Sequence, residues 1–267
     1  MSPVSGGRAE GHGSDPSAEA VTVAGGHRAP SGSPPFPGAI AVSHLRVYPS
    51  VAADGLPGGT PHLHTVCSEA YAVIGGSGRV LTVDRHGLRT TALTAGSFVW
   101  FTPGTVHRLV NDSGDLEILV LMQNAGLPEA GDMVITFPDD VLADPDRYAA
   151  AATLPASSLI TGGDDAPVRA RRDLAVEGYA ELAEGGSAAL ARLHHRAAAL
   201  VRGHVGGWRR TWTEGPWAAA EATGVQLAAM ARGDHAHLAD AATFALPPPP
   251  DDRRHGCCGT LGVAVWR

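Results

Sequence analysis

The sequence predicts a mainly β fold, a sandwich or barrel, followed by an α-helical C-terminal region. From about residue 39, short β-like runs alternate with turn residues every 6 to 10 positions, a spacing typical of all-β domains. The C-terminal third instead carries apolar residues at helical spacing. The opening residues, rich in Gly, Ser, Pro and Ala, show no sustained periodicity of either kind.

The segment before the predicted strands has the composition of a disordered tail. Residues 1–36 lack the apolar content that a packed core needs, so we expect them to be disordered. A β-barrel domain is expected over residues 37–126. Its predicted strands are "AIAVSHLRVY" (39–48), "EAYAVI" (69–74), "RVLTV" (79–83), "LRTTAL" (88–93), "SFVWF" (97–101), "VHRLV" (106–110) and "LEILVLM" (116–122).

The remaining chain divides into three parts. Residues 127–170 have no regular strand pattern and are predicted to form a connecting extension. Residues 171–246 hold three amphipathic segments, each followed or closed by Gly, and are predicted to be helical. They would either cover the barrel or form the contact of a homodimer. Residues 247–267 form a tail whose last apolar run, "LGVAVW" (261–266), suits a closing strand.

Charge and composition exclude some classes of function. The net charge of −7 argues against a nucleic-acid partner, which needs a concentrated basic face. No window approaches the roughly 20 apolar residues of a membrane helix, and the first residues do not resemble a secretory signal. Three cysteines, badly spaced for disulfides, fit a reduced compartment. We therefore expect a cytoplasmic protein with a small-molecule substrate.

The stretch "GGTPHLHTVCSEAYAVIGGSG" (58–78) concentrates potential metal ligands. His62 and His64 alternate along a strand, so their side chains project from one face. Glu69 begins the next β-run and can fold back beside them. Imidazole and carboxylate together suit a divalent metal. A fourth ligand is offered by His107, which follows a Pro-Gly turn and opens a strand in "TPGTVHRLVN" (102–111).

Two motifs in this region resemble those of the cupin superfamily. The first is H-x-H, three or four residues, Glu, six residues and Gly, and it is matched by His62, His64, Glu69 and Gly76. The second is matched at Gly96, Pro103, Gly104, His107 and Asn111. Pro103 directly precedes Gly104, whereas the family often has a residue between them. That departure changes the turn but leaves the register of the later motif residues intact.

The resemblance covers about a third of the chain and implies a single-domain cupin, a jelly-roll barrel with one divalent metal ion inside. It implies His62, His64, Glu69 and His107 as the ligands, with positions left open for substrate. The ligand set does not distinguish among iron, manganese, nickel, cobalt, copper and zinc. The flanking regions, including the helical extension, match no assigned family pattern.

Five further residues are candidates for the site. Tyr71 shares the strand face of Glu69 and would act as an acid or orient the substrate, or simply pack in the barrel. His44 and Arg46 would bind a substrate anion if their face is inward, and solvent exposure would remove that role. Glu117 and Gln123 share another strand face, and one of them would reach the pocket.

We predict a metal-dependent enzyme that acts on a small oxygenated metabolite able to chelate the metal. In the cupin family such a site supports dioxygenases and sugar-type isomerases. We slightly favour the dioxygenase because the sequence has no evident phosphate-binding cluster of basic residues. The alternative from another class is a non-catalytic cupin that senses or binds a metabolite.

Overall fold

The computed structural model describes residues 27–28, 36–245 and 253–265, with two sheets and a long helical region. The strands are β1 (His27–Arg28), β2 (Ala41–Val47), β3 (His62–His64), β4 (Glu69–Gly75), β5 (Ser77–Asp84), β6 (Gly87–Thr94), β7 (Phe98–Phe101), β8 (Val106–Val110), β9 (Glu117–Met122), β10 (Met133–Ile135), β11 (Arg254–His255) and β12 (Gly259–Val265). The α-helices are α1 (Asp139–Leu142), α2 (Pro145–Ala152), α3 (Ala166–Val201), α4 (Val205–Trp212) and α5 (Ala218–Ala231).

The two sheets form a jelly-roll-like pair. One has the order β1-β12-β2-β9-β4-β7, with β11 paired to β12, and the other has the order β10-β3-β8-β5-β6. All pairings are antiparallel except β1 with β12. The predicted β fold with a helical C-terminal region is confirmed, since each predicted β-run lies on a strand of one of these sheets.

Alternating burial along the strands builds the core between the sheets. In β2, Leu45 is buried opposite Ile118 of β9, while their sequence neighbours face outward. This period of two follows from the pleat of a β-strand. Burying each such aliphatic side chain contributes about 1.5–3 kcal/mol. The apolar core therefore holds the two sheets together around the space where the histidines lie.

Two motif residues stabilise turns and junctions of the barrel. Gly76 has φ +67°, and a Cβ there would lie 2.6 Å from the Asp115 carbonyl oxygen, so only glycine fits without displacement. The Asn111 amide donates to the Val47 carbonyl at 2.9 Å and accepts from the Leu116 amide at 3.1 Å. The glycines of the second motif, Gly96 (φ +89°) and Gly104 (φ +86°), also adopt left-handed conformations, with Gly104 directly after Pro103.

The segment expected to be a connecting extension contributes to the sheet. Its strand β10 pairs antiparallel with β3, the strand that carries the first two histidines. Three residues are too few to display an alternating pattern, so the sequence carried no strand signal there. The region also supplies α1 and α2, and α3 begins within it at Ala166.

Helix α3 packs along the barrel. Ala175, Tyr179 and Leu182 recur at helical spacing and are buried. Gly178 of α3 lies against the backbone of Phe137, and a Cβ at Gly178 would be 2.3 Å from the Phe137 carbonyl carbon. The Arg172 guanidinium donates to the Ser50 and Val51 carbonyls at 2.8 and 2.7 Å. These contacts dock the helix against the barrel.

The later helices differ from α3. A short π-helix at Thr213–Trp217 joins α4 to α5, and none of the residues of α5 is buried. The apolar run near the C-terminus forms β12, which pairs with β2. Residues 1–36, which we expect to be a disordered tail, lie outside the described residues except for 27, 28 and 36. None of the described helices combines the length and hydropathy needed to cross a membrane.

Candidate metal centre

Three strands bring the predicted ligands together in the barrel interior. His62 and His64 lie on one face of β3, and His62 pairs directly with His107 of β8. Glu69 is the first residue of β4, after the loop that leaves β3. All four side chains are buried, and one ligand atom from each lies within 4.8 Å of the others. This group could hold one metal ion.

Hydrogen bonds fix which imidazole nitrogen faces the centre. The Nδ1 of His62 lies 2.9 Å from the Thr60 carbonyl oxygen, and that of His107 lies 3.1 Å from the Thr105 carbonyl oxygen. A carbonyl only accepts, so each Nδ1 must carry the proton. In the neutral form that binds metal, each ring then presents the lone pair of its Nε2 inward. Such outer partners are the usual means of orienting a metal-binding histidine.

The spacing of the inward atoms suits a shared cation. The Nε2 atoms of His62 and His107 are 3.0 Å apart, and the Glu69 Oε2 lies 3.0 Å from His107 Nε2 and 3.4 Å from His64 Nε2. With metal–nitrogen bonds of about 2.0–2.1 Å, neighbouring ligands around one ion lie about 3 Å apart. Within the described structure, Glu69 Oε2 is buried without a hydrogen-bond partner. The imidazole nitrogens and the carboxylate oxygen meet in a buried site, and this arrangement fits a divalent metal.

Electrostatics keep the carboxylate ionised. Burial alone would raise the pKa of Glu69, but the neighbouring imidazoles of His107, His64 and His62 outweigh it and lower the pKa to about 2. Burial lowers the pKa of His62 well below its ordinary value, with His107 and His64 adding to the effect. The site thus presents a neutral His62 and an anionic Glu69, the forms that bind metal.

Asp132 is a residue of the site that sequence reasoning missed. The Asp132 side chain is fully buried, and its Oδ2 lies 3.3 Å from the Nδ1 of His64. Its oxygens also accept from the backbone amides of Thr65, Val66 and Cys67 at 2.9, 2.8 and 3.1 Å. Asp132 therefore holds both the third histidine and the loop between the ligands. It follows Gly131 just before β10, and nothing in its spacing marked it.

A cavity of about 620 Å³ adjoins the ligands. Its walls are mainly apolar and come from both sheets, α2, α3 and the segment before β12. The volume is in the range of small-molecule sites. Arg171, Cys257 and Cys258 line it from outside the region of the two motifs, and no sequence pattern predicted them there.

Tyr71 lies in this cavity, as the strand parity predicted. The side chain is fully buried, and its ring packs edge-on against Phe101 with centroids 5.1 Å apart. Among the described residues its hydroxyl has no hydrogen-bond partner. Burial raises the pKa of Tyr71 well above its ordinary value, and the Glu69 carboxylate adds to the effect. The hydroxyl is therefore neutral and has a proton to donate.

The other candidates lie away from the cavity. Glu117 accepts from Arg46 Nε at 2.9 Å and lies 3.0 Å from His44 Nε2, and the three side chains share the outer face of β2 and β9. Gln123 is exposed and accepts from the Ser68 amide at 3.3 Å. The substrate-binding expectation for these four residues is therefore corrected. Strand parity had shown which of them share a face but not which face is inward.

The segment that carries the four ligands is similar to a known protein family. Residues 53–122 match the sequence model of a family described as a cupin domain, so the predicted cupin resemblance is confirmed for that segment. A search of curated proteins finds no significant match.

Solved structures resemble about a third of the chain. A putative sugar phosphate isomerase from Acidithiobacillus ferrooxidans is 24% identical over 32% of this chain and 49% of its own, with a TM-score of 0.25. A cupin protein from Bacteroides fragilis is 21% identical over 33% and 65%, with a TM-score of 0.24. A predicted oxalate decarboxylase from Thermotoga maritima is 19% identical over 31% and 66%, with a TM-score of 0.26. The matched part thus spans about half to two thirds of these proteins.

Proposed function

We propose that this protein, which carries a cupin domain over residues 53–122, is a metal-dependent enzyme acting on a small oxygenated metabolite that chelates the metal. The observation that carries the proposal is the convergence of His62, His64, Glu69 and His107 on one buried point beside a cavity. We assign these four side chains as the ligands of one divalent ion. When bound, the ion supplies Lewis-acid polarisation of the substrate and, if redox-active, access to O₂ chemistry.

The protein's own residues bind and orient the substrate. The apolar walls exclude water, which strengthens polar interactions inside the cavity. The Tyr71 hydroxyl, buried without a partner in the described structure, is placed to donate a hydrogen bond to a substrate oxygen. We assign it an orienting role, with proton donation as its chemical contribution. Glu69 remains an ionised ligand throughout, because the surrounding imidazoles favour its anionic form.

Dioxygenase chemistry is favoured over a sugar-type isomerase by the cavity walls. The lining residues include one arginine, Arg171, and no lysine occurs in the chain. Arginine and lysine are the side chains that bind phosphate groups most strongly. The described walls offer only Arg171, so a substrate with a chelating oxygen pair and no phosphate group suits the cavity better.

Native purification, elemental analysis and an oxygen electrode test the proposal. A redox-active metal together with O₂ uptake in proportion to substrate loss, on a panel of catechols, β-diketones and 2-hydroxy acids, would support the dioxygenase. A product of unchanged mass formed without O₂ would support the isomerase. Zinc with ligand binding and no turnover would support the sensing alternative. Protein purified without any metal, and unable to take one up, would overturn the ligand assignment.

We also propose that the protein is cytoplasmic and forms a homodimer. The three cysteines are free and buried, in keeping with a cytoplasmic protein, and the acidic net charge of −7 disfavours nucleic acid. A homodimer is supported by α5, on which Val225, Leu227 and Met230 are more than half exposed. Sedimentation of the wild-type protein and of Leu227→Glu tests it: a dimer that the substitution dissociates is expected, and a wild-type monomer would remove the homodimer.

A further inference from the structure

Arg171 of α3 is a buried cation in the wall of the metal cavity. Its side chain is 8% exposed and lines the same cavity as His62, His64 and Glu69. Burial raises the pKa of the Cys257 thiol. The Arg171 guanidinium lowers that pKa and the Glu69 carboxylate raises it, so the charges of both groups act on the thiol. Cys257 also lines the cavity. Arg171 and the ligand group therefore face a common space.

Most of the donors of Arg171 are unused. The guanidinium donates from Nη1 to the Ala152 carbonyl at 3.2 Å and from Nη2 to the Gly256 carbonyl at 2.9 Å. A guanidinium carries five N–H groups. Its Nε is buried and lacks a partner within the described residues. The two carbonyls hold the plane of the group, and N–H donors remain for a ligand.

The charge of Arg171 is also uncompensated. Among the described ion pairs, Arg172 of the same helix contacts Asp173 and Arg108 contacts Asp54, but Arg171 contacts no carboxylate. An unpaired buried charge is costly to retain for stability alone. A resident divalent metal would give the ligand group itself a net positive charge, since Glu69 is its one carboxylate, although Glu129 and Asp146 also line the cavity. The unpaired guanidinium therefore favours an anionic partner at its own free donors.

We infer that Arg171 binds a carboxylate group of the substrate while the other end of the same molecule chelates the metal. This inference rests on the proposed function and narrows its substrate class to organic acids. A carboxylate accepts two parallel N–H bonds from the fork of a guanidinium. A phosphate monoester carries more charge and more acceptors than the one arginine of the cavity wall can satisfy. Arg171 is thus a specificity-determining residue supplied by the helical extension.

Binding of paired probes to the metal-loaded protein tests the inference. The probes are linear 2-hydroxy acids of increasing length, each compared with the analogue that carries a second, terminal carboxylate. Calorimetric titration of the wild-type protein should show tighter binding, by about ten- to a hundredfold, for the dicarboxylate at one chain length. Arg171→Gln should abolish that difference, and Arg171→Lys should retain part of it, because lysine keeps the charge but not the fork.

The matched control is Arg169→Gln, an exposed arginine of the same helix, which should leave the difference unchanged. Metal content and circular dichroism of each variant establish that the fold and the ion are retained. The comparison of probes on the wild-type protein needs no variant, so it decides whether the cavity binds a second carboxylate. If Arg171→Gln misfolds, Arg171→Lys assigns the gain to Arg171 by retaining only part of it.

The outcomes separate the two claims. If the monocarboxylate probes bind the loaded protein and the terminal carboxylate adds nothing at any length, the role of Arg171 is overturned and the proposed function survives. A gain that persists in Arg171→Gln has the same consequence. If a terminal phosphate gives the larger, Arg171-dependent gain, the carboxylate class is wrong. If no 2-hydroxy acid binds the loaded protein, this inference is overturned, while the proposed function is decided by the catechols and β-diketones of the wider panel.

Discussion

His62 and His107 lie 45 residues apart in the sequence, yet their Nε2 atoms are 3.0 Å apart across the paired strands β3 and β8. Each ring is held by a carbonyl at its Nδ1, so two lone pairs face each other in a buried site. Without a cation between them this contact is repulsive. A structural histidine pair would instead share a proton along the contact. With both Nδ1 atoms already protonated, one ring would then be a buried imidazolium, which the burial of His62 disfavours.

Replacing His107 with Ala should remove the metal and leave the barrel folded. The change deletes one of four ligands, and we expect metal affinity to fall by more than about a hundredfold. Metal content by elemental analysis and secondary structure by circular dichroism measure the two effects. His86→Ala, at an exposed hairpin position, is the control. Full metal content in His107→Ala would show that the ligand assignment is wrong.

Replacing Asp132 with Asn should weaken metal binding without deleting a ligand. The neutral amide no longer stabilises the His64 ring as a carboxylate does, and a loss of about 10- to 100-fold in metal affinity is expected. Competition with a chelator of known affinity gives the number. Asp140→Asn, an exposed carboxylate on α1, should bind metal like the wild type. Equal affinity in both variants would leave Asp132 with a purely structural role in the loop.

Replacing Tyr71 with Phe should separate function from stability. Because the Tyr71 hydroxyl is buried without a partner in the described residues, its removal should leave the free energy of unfolding unchanged or raise it by up to about 1 kcal/mol. If the hydroxyl orients the substrate, kcat/KM should fall by about 10- to 100-fold.

The Tyr71→Phe prediction has a close control. Tyr179 is also buried with an unpartnered hydroxyl among the described residues, but it does not line the metal cavity. Tyr179→Phe should show the same small change in stability and no change in kcat/KM. Equal activity in the two variants would assign Tyr71 to packing, the alternative that its sequence position allowed.

The ion pair of Asp54 with the fully buried Arg108 predicts an acid-sensitive contribution to stability. Burial raises the pKa of Asp54, but hydrogen bonding and charge attraction from Arg108 outweigh it and lower the pKa below 3.8. A lowered folded-state pKa contributes stability that is complete above about pH 4. That contribution is lost as the pH falls through the lower pKa of the folded protein.

Asp54→Asn should therefore cost about 1–3 kcal/mol near neutral pH and less in acid, where the wild-type carboxyl is itself protonated. Part of the Asp54 side chain is exposed, so the cost should lie below that of breaking a fully buried pair. Urea unfolding across the pH range measures it. Asp112→Asn breaks an exposed pair with Arg79 and should cost less than about 1 kcal/mol. A cost for Asp54→Asn that does not vary with pH would contradict the titration argument.

Gly76→Ala should destabilise the barrel through its turn. Alanine at φ +67° is strained by about 1–2 kcal/mol, and its Cβ would lie 2.6 Å from the Asp115 carbonyl oxygen. We expect a loss of at least about 2 kcal/mol in the free energy of unfolding. Gly87→Ala, at φ +92° with open space around it, shares the strain without the contact and should cost less. An equal cost would assign the whole effect to backbone strain.

Local pattern in the sequence determined much of this protein. The period of two placed His62 and His64 on one face and Tyr71 on the face of Glu69, and turn residues delimited the strands. Helical spacing located the C-terminal helices. The family motif predicted His107 at the same site.

Tertiary structure alone decided the rest, because strand parity shows which residues share a face and not which face is inward. Hence Arg46 and Glu117 face outward on the paired strands β2 and β9. Asp132 and Arg171 reach the site through pairing and packing between segments far apart in sequence. Such contacts leave no periodic trace, since each depends on a single side chain and on how distant elements meet.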